Sequence, residues 1–131
     1  MRYLIDTHVL IWYLEGNEQL SKKVREELDN EENVIIISIV SLWELTIKTA
    51  KHKEKIGFKI TLSEIESYIF ERDFMLLNIT FNHLYVLERL VSPKDHSDPF
   101  DRLIIAQAKS EDLIVLSVDR RFAAYPINVI W

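Results

Sequence analysis

Two almost continuously apolar stretches, residues 33–38 and 113–118, most constrain how this chain folds. Strands that are buried on both faces of a parallel sheet have this composition, because helices cover the sheet on both sides. Three further short stretches rich in apolar and β-branched residues have strand character, at residues 2–6, 74–78 and 127–131. Together these stretches predict a sheet of about five strands.

Helical patterns fill the segments between the predicted strands. They cover residues 8–14, 18–29, 41–51, 62–72, 80–91 and 99–111. Strands that alternate with helices form βα units with right-handed crossovers, so the sheet is expected to be mainly parallel. The pattern therefore predicts an α/β protein, a three-layer α/β/α sandwich around a central, mainly parallel sheet.

Length and composition point to one domain without disulfides. The chain has 131 residues, of which only two are glycine and three are proline, so no flexible linker divides it. We expect a single domain over residues 1–131. The absence of cysteine excludes disulfides, thiolate metal sites and cysteine nucleophiles. No apolar run reaches the roughly 18 residues that a membrane-spanning helix needs, so we expect a soluble, cytoplasmic protein.

Four acidic residues occupy comparable places in the predicted elements. Asp6 ends the first strand and Asp119 ends the fourth, whereas Glu44 and Asp101 are expected on the first turns of their helices. In open parallel sheets, sites form beyond the carboxyl ends of the strands. If the first and fourth strands are neighbours, Asp6 and Asp119 come together at this edge.

Carboxylates gathered at one edge repel one another. At a separation of about 6 Å and an effective dielectric constant of about 20, each pair costs about 3 kcal/mol. A fold would bring such groups together only where cations offset the repulsion. Hard oxygen ligands with open coordination positions suit Mg²⁺ or Mn²⁺, which also bind phosphate. The pattern therefore indicates a metal site formed by Asp6, Glu44, Asp101 and Asp119.

Each of these acids also has a purely structural interpretation. Asp6 could cap the first helix, Glu44 could pair with Lys48 at i+4, and Asp119 could begin a turn. For Asp98, which precedes Pro99, the role of helix N-cap is favoured over that of an accessory metal ligand.

Two hydroxyl residues lie close to the acids in the sequence. Thr7 and Ser41 could orient metal ligands or bind phosphate, because a hydroxyl group both donates and accepts hydrogen bonds. Helix capping is the favoured interpretation for both.

The acids stand in a combination that resembles a known family. Asp6-Thr7 after the first strand, Glu44 in "SLWEL", Asp101 in "DPFDRLIIAQA" and Asp119 in "SVDRRF" are similar to motifs of the PIN-domain ribonucleases. Among these, the chain most resembles the VapC-type toxins of bacterial toxin–antitoxin pairs. The resemblance extends over essentially the whole chain, and "HSDPFDRLIIAQA" is its most specific part.

This resemblance implies a function and a set of site residues. It implies Mg²⁺- or Mn²⁺-dependent hydrolysis of RNA, a homodimer, and neutralisation by a small antitoxin protein. The family's catalytic and metal-binding quartet corresponds to Asp6, Glu44, Asp101 and Asp119, although a salt bridge to the following arginines would weaken the role of Asp119. Two alternatives remain: a catalytically weak PIN-fold interaction module, and a metal-dependent nuclease outside any toxin pair.

An RNA substrate requires positive charge, although the net charge is −5. The aromatic residues Trp12, Tyr13 and Trp43 are interpreted as core or dimer interface rather than as platforms for bases. The candidate cations are Lys48, Lys51, Lys53 and Lys55 in "KTAKHKEK", together with Arg102, Arg120 and Arg121 beside the acids.

Overall fold

The structure, a computed structural model, describes residues 1–51, 60–93 and 96–131, without the side chains of residues 50 and 51. Its sheet has five strands in the order β3-β2-β1-β4-β5, and every neighbouring pair is parallel. This confirms the predicted central sheet. The strands are β1 (Arg2–Ile5), β2 (Val34–Ser38), β3 (Met75–Leu77), β4 (Ile114–Leu116) and β5 (Val129–Ile130).

Helices cover both faces of the sheet, as predicted for the sandwich. Alternate residues of β1 point to opposite layers: Tyr3 and Ile5 pack with α1, α2 and α4, whereas Leu4 packs with α5 and α6. Helix α3 contributes to both cores. The helices are α1 (Thr7–Glu15), α2 (Lys22–Asp29), α3 (Ile39–Lys51), α4 (Leu62–Glu71), α5 (Phe81–Arg89) and α6 (Pro99–Glu111), and a short 3₁₀ helix covers Arg120–Ala124.

Two helix starts differ from the sequence prediction by more than one residue. Helix α2 begins at Lys22 rather than at residue 18, because the Ser21 hydroxyl caps it by accepting the Val24 N–H at 3.1 Å. Helix α3 begins at Ile39, directly after β2, instead of at residue 41. Glu44 therefore lies on the second turn of α3, and its expected place on the first turn was wrong.

Within residues 1–51, 60–93 and 96–131, no helix is both long enough and apolar enough to cross a bilayer.

Candidate active site

The central position of β1 determines where the acids meet. Strand β1 pairs with β2 on one side and with β4 on the other, so the predicted contact between the first and fourth strands is confirmed. The Asp6 N–H continues this pairing by donating to the Leu116 carbonyl at 3.0 Å. Asp6 thus lies at the middle of the carboxyl edge of the sheet, where sites form in parallel α/β folds.

Asp6 is buried at this edge and is only 4% exposed. It occupies the N-cap position of α1, as the structural interpretation expected, but its side chain is not fixed there by a capping hydrogen bond. Its Oδ2 instead accepts a hydrogen bond from the Ser117 hydroxyl at 2.8 Å. Burial raises the pKa of the Asp6 carboxyl, and the negative charge of Glu44 raises it further, while the Ser117 hydrogen bond opposes the shift.

Glu44 approaches from α3 and is 6% exposed. Its Oε1 accepts a hydrogen bond from the Thr7 hydroxyl at 2.9 Å, and its Oε2 accepts one from Lys48 Nζ at 2.8 Å. The pairing with Lys48 expected from the i+4 spacing is therefore present. Thr7 occupies the first position of α1 and orients Glu44, so the favoured interpretation of Thr7 as a cap was wrong.

Asp101 lies on the first turn of α6, as predicted. The Asp98 carboxylate accepts the Asp101 N–H at 3.0 Å, which confirms Asp98 as the N-cap of this helix. Burial raises the pKa of the Asp101 carboxyl to about 6 against the opposing hydrogen bond from His96, and the negative charges of Asp98, Asp6 and Glu44 add to the increase. The acids of β1, α3 and α6 thus act on one another electrostatically.

A buried imidazole orients Asp101. His96 Nε2 lies 3.0 Å from Asp101 Oδ2, and His96 Nδ1 lies 2.8 Å from the Tyr125 hydroxyl. Arg102 Nη1 donates to the same hydroxyl at 3.4 Å, which leaves the hydroxyl proton for His96 Nδ1. With the Tyr125 hydroxyl proton directed at Nδ1, the Nε2–H of His96 donates to Asp101.

Asp119 is held by an ion pair with Arg121. Arg121 Nη2 lies 2.8 Å from Asp119 Oδ2, and Arg121 Nε lies 3.0 Å from Oδ1. These hydrogen bonds hold the pKa of the Asp119 carboxyl below its usual range. The Asp119 N–H also donates to the Ser117 hydroxyl at 3.0 Å, so Ser117 connects the start of this turn with Asp6.

The chemistry of these oxygen donors fits a hard divalent cation. Ser41 lies on the first turn of α3, and its buried hydroxyl has no hydrogen-bond partner among the described residues, so the favoured interpretation of Ser41 as a helix cap was wrong. This unpaired hydroxyl supports the fit. The donors are not yet arranged around a cation: within the described ranges, no three acidic or histidine side chains form a preformed metal site. Thr7 and Lys48 hold Glu44, and Arg121 holds Asp119.

The cations expected to bind RNA have different environments. Lys48 pairs with Glu44, and Arg121 pairs with Asp119. Arg102 makes an intramolecular hydrogen bond, in which its Nη2 donates to the Leu90 carbonyl at 2.9 Å. Arg120 is exposed and makes no ion pair within the described ranges. The predictions for Lys53, Lys55 and the Lys51 side chain lie outside the described residues.

The three aromatic residues expected in the core or a dimer interface differ in exposure. Tyr13 is buried and donates to Asp29 at 2.6 Å, so it belongs to the core. Trp12 is half-buried against the same core. Trp43 is exposed and packs edge-on against Phe100 at a centroid distance of 4.9 Å, so it does not belong to the core.

Sequence reasoning missed His96 and Ser117. His96 lies five residues before Asp101 in "HSDPFDR", and that short spacing was the available signal. Ser117 lies two residues before Asp119 at the end of β4, where the side chain emerges at the same edge as Asp6. Both are buried polar residues with partners among the acids, which only the folded arrangement reveals.

Comparison with solved structures supports the same fold. A chain in the crystal structure of VapBC2 from Rickettsia felis bound to a DNA fragment from their promoter has a TM-score of 0.70 and 18% identity, covering 99% of this chain and 98% of that one. DNA-bound VapBC from Salmonella typhimurium has a TM-score of 0.71 and 20% identity, with coverages of 99% and 97%. VapBC-5 from Mycobacterium tuberculosis, a member of the VapBC family of toxin–antitoxin systems, has a TM-score of 0.59 and 20% identity, with coverages of 98% and 97%.

Sequence comparison identifies the family. No curated protein sequence matches this chain at a significant level. The profile of the PIN domain family, however, matches residues 3–128, which include every acid of the candidate site. The parallel sheet, the acids at its carboxyl edge and this match lead to one conclusion: the chain belongs to the PIN domain family.

Proposed function

We propose that this chain is a metal-dependent endoribonuclease and the toxin of a toxin–antitoxin pair, with residues 1–131 acting as one PIN domain in the cytoplasm. PIN domains are nucleases, so membership of the family supports hydrolysis of nucleic acid. The observation that carries the proposal is the buried cluster of Asp6, Glu44 and Asp101 at one edge of the sheet, where burial and then the neighbouring carboxylates raise the pKa of Asp101 to about 6. Coupled carboxylates with raised pKa values are typical of functional sites.

In this proposal Asp6, Glu44 and Asp101 are the catalytic metal ligands, and Asp119 completes the set. The group they would hold is Mg²⁺ or Mn²⁺, which when bound supplies Lewis acidity towards water and phosphate oxygens. Ser117 and Thr7 orient Asp6 and Glu44 through their hydroxyl groups.

The remaining residues of the site support these ligands. His96 orients Asp101, and Asp98 keeps its role as cap of α6. Lys48 offsets the charge of Glu44 in the absence of a cation. The buried Ser41 hydroxyl is available to a water molecule at the site.

The toxin part of the proposal rests on the structural relatives. The neighbours include VapBC complexes and a member of the VapBC family of toxin–antitoxin systems. By analogy with these complexes, one proposed partner of this chain is a small antitoxin protein. A second copy of the chain and an RNA substrate are proposed as further partners from the resemblance of the sequence to the VapC-type toxins. An apolar groove between α3, α4 and β3, which includes the exposed Trp43 and Phe70, offers surface for the antitoxin.

The nuclease proposal is tested by incubating total cellular RNA with the native chain and Mg²⁺ or Mn²⁺, and mapping the ends. We expect Asp6→Asn and Asp101→Asn to reduce cleavage by about 10²-fold or more, because each removes a charge that offsets the cation. The matched control is Asp112→Asn, which changes an exposed acid beyond the other end of α6. Unchanged cleavage by both site variants would overturn the metal site. No metal-dependent cleavage by the native chain would instead leave the interaction module as the alternative.

A separate experiment tests the toxin role. Induced expression of the native chain should arrest bacterial growth, and co-expression of a short open reading frame adjacent to its gene should restore growth. The Asp6→Asn chain should not arrest growth. Metal-dependent cleavage in vitro without growth arrest would instead favour a nuclease outside any toxin pair.

A further inference from the structure

A second pocket borders the candidate active site at the carboxyl ends of β4 and β5. It has a volume of about 320 Å³. Its polar wall consists of Ser117, Asp119 and Arg120, and its apolar wall includes Val129 and Trp131. Trp131 directly follows β5, and the Ser117 N–H donates to the Ile130 carbonyl at 3.2 Å. The pocket therefore opens at the same sheet edge as the acids.

One residue separates this pocket from Asp6. The hydroxyl of Ser117, which belongs to the pocket wall, donates to Asp6 Oδ2 at 2.8 Å. Asp119 also lines the pocket and receives its own hydrogen bonds from Arg121. This ion pair offsets the negative charge of the Asp119 carboxylate in the pocket wall.

Trp131 presents an aromatic surface that is already held in place. The residue is 38% exposed. Its ring packs against Trp12 at a centroid distance of 6.0 Å, and Trp12 in turn packs against His8 at 6.0 Å. This row of rings limits the rotamers of Trp131, so that little conformational entropy is lost when a planar ligand stacks on it.

The cation of the pocket is exposed. Arg120 makes no ion pair within residues 1–51, 60–93 and 96–131, and its guanidinium is therefore available to a ligand phosphate. An aromatic ring beside a cation is the combination with which proteins bind single-stranded nucleic acid: the base stacks and the backbone phosphate meets the positive charge.

We propose that the pocket between β4 and β5 binds the base of an unpaired RNA nucleotide next to the scissile phosphate, by stacking on Trp131 with Arg120 facing the backbone. This inference rests on the proposed ribonuclease function and adds a subsite to it. Stacking is tolerant of base identity, so the subsite selects unpaired nucleotides rather than one particular base. It predicts cleavage in single-stranded segments and loops.

The experiment measures binding of a fluorescein-labelled, single-stranded RNA of about ten nucleotides by fluorescence anisotropy in EDTA, where no cleavage occurs. We expect Trp131→Ala to weaken binding about tenfold, the typical loss of one base–aromatic stack. Trp131→Phe should recover most of the affinity, because a ring remains. The matched control is Phe81→Ala, which removes an exposed aromatic residue at the start of α5 and should leave the affinity unchanged.

A set of RNAs with one abasic position each identifies the base that stacks. At a single position, the abasic RNA should bind equally to the native chain and to Trp131→Ala, because the stack is already lost. An equal effect of Trp131→Ala on every abasic RNA, or no effect on any RNA, overturns the subsite. So does the absence of measurable binding by the native chain.

Two measurements separate this inference from its alternatives. Sedimentation velocity of native and Trp131→Ala chains should show the same oligomeric state; dissociation of a dimer by the substitution would mean that a second copy covers Trp131, and would overturn the inference. Cleavage assays with Mn²⁺ report on the proposed function independently. If the native chain cleaves RNA but Trp131→Ala has no position-dependent effect on the abasic RNAs, only the subsite is overturned. If the native chain binds RNA but does not cleave it, the ribonuclease proposal is overturned.

Discussion

Two clusters of buried polar residues lie against the same helix, α6, and they differ in how their charges are balanced. The amide–imidazole network, formed by Ser38, His83, Gln107 and Glu111, connects β2, α5 and α6. Ser38 donates to Gln107 Oε1, and His83 Nε2 lies 2.8 Å from Glu111 Oε1. The backbone N–H of Thr80 donates to His83 Nδ1 at 3.1 Å. Donors in this network meet acceptors, and such burial stabilises a fold.

The acid cluster of Asp6, Glu44 and Asp101 lies towards the start of the same helix and combines like charges. The pKa of Asp6 and that of Asp101 are raised, because burial and neighbouring carboxylates disfavour their ionised forms. Hydrogen bonds from Ser117 to Asp6 and from His96 to Asp101 offset only part of this cost. The difference shows that buried polar residues stabilise the fold where donors meet acceptors. Where buried residues carry like charges, they destabilise the fold but can bind a cation.

The largest stability effect is expected in the amide–imidazole network. Gln107→Ala removes the acceptor of Ser38 and the donor to the Asn78 carbonyl, and leaves a small cavity. We expect a loss of about 2–3 kcal/mol in the free energy of unfolding, measured by urea denaturation. Lys109→Ala, at an exposed position of the same helix, should change stability by less than about 0.5 kcal/mol. A loss below about 1 kcal/mol for Gln107→Ala would mean that the hydrogen bonds of this network contribute little to the stability of the fold.

In the acid cluster, a substitution is expected to raise the free energy of unfolding instead of lowering it. Because the folded pKa of Asp101 is about 6 and lies above its ordinary value, the folded state binds more protons at mildly acidic pH. The stability of the native chain therefore falls as pH rises from about 4 through about 6, and levels off above that window. Asp101→Asn lacks this loss, and we expect it to be more stable than the native chain by about 1–2 kcal/mol at pH 7.5 and equally stable at pH 4.

Unfolding curves of both chains at pH 4, 5, 6 and 7.5 measure this dependence. Asp112→Asn, beyond the end of α6, should follow the native chain at each pH. If Asp101→Asn raises the free energy of unfolding equally at every pH, the effect would come from packing and not from charge.

A divalent cation should offset the destabilisation caused by the carboxylates of the acid cluster. Mn²⁺ at about ten times its dissociation constant should stabilise the native chain by about 1.4 kcal/mol, which raises Tm by about 3–6 °C. Asp6→Asn should show a shift below about 1 °C, because the central ligand loses its charge. Differential scanning calorimetry with and without Mn²⁺ measures both. Equal shifts in the native and Asp6→Asn chains would place the bound cation outside the acid cluster.

The smallest effect is expected where the acid cluster resembles the amide–imidazole network, at the Tyr125–His96–Asp101 contacts. Tyr125→Phe removes the hydroxyl that donates to His96 Nδ1, and so loosens the imidazole that orients Asp101. We expect about a threefold loss of Mn²⁺ affinity by isothermal titration, with little change in Tm. Tyr85→Phe, at an exposed position, is the control and should leave the affinity unchanged. An unchanged affinity in Tyr125→Phe would mean that His96 is held by packing alone.

Local sequence determined the elements of this protein. Continuous apolar stretches specify strands that are buried on both faces, and Asp98-Pro99 specifies a capped helix start, because these properties depend on side chains within a few residues. All five strands and the position of Asp101 on the first turn of α6 follow from such patterns. Family motifs added the four acids as a set, which local propensity does not connect.

Tertiary structure alone decided what each acid touches. Asp6 appeared suited to cap α1, but Ser117, 111 residues further along the chain, takes its carboxylate instead. Glu44 is shared between a local partner, Lys48, and a distant one, Thr7. Hydrogen-bond partners and pKa values depend on burial and on the distances between side chains in the folded protein. These distances cannot be inferred from the positions of two residues along the chain. For the same reason the pocket beside Trp131 exists only because β5 pairs with β4.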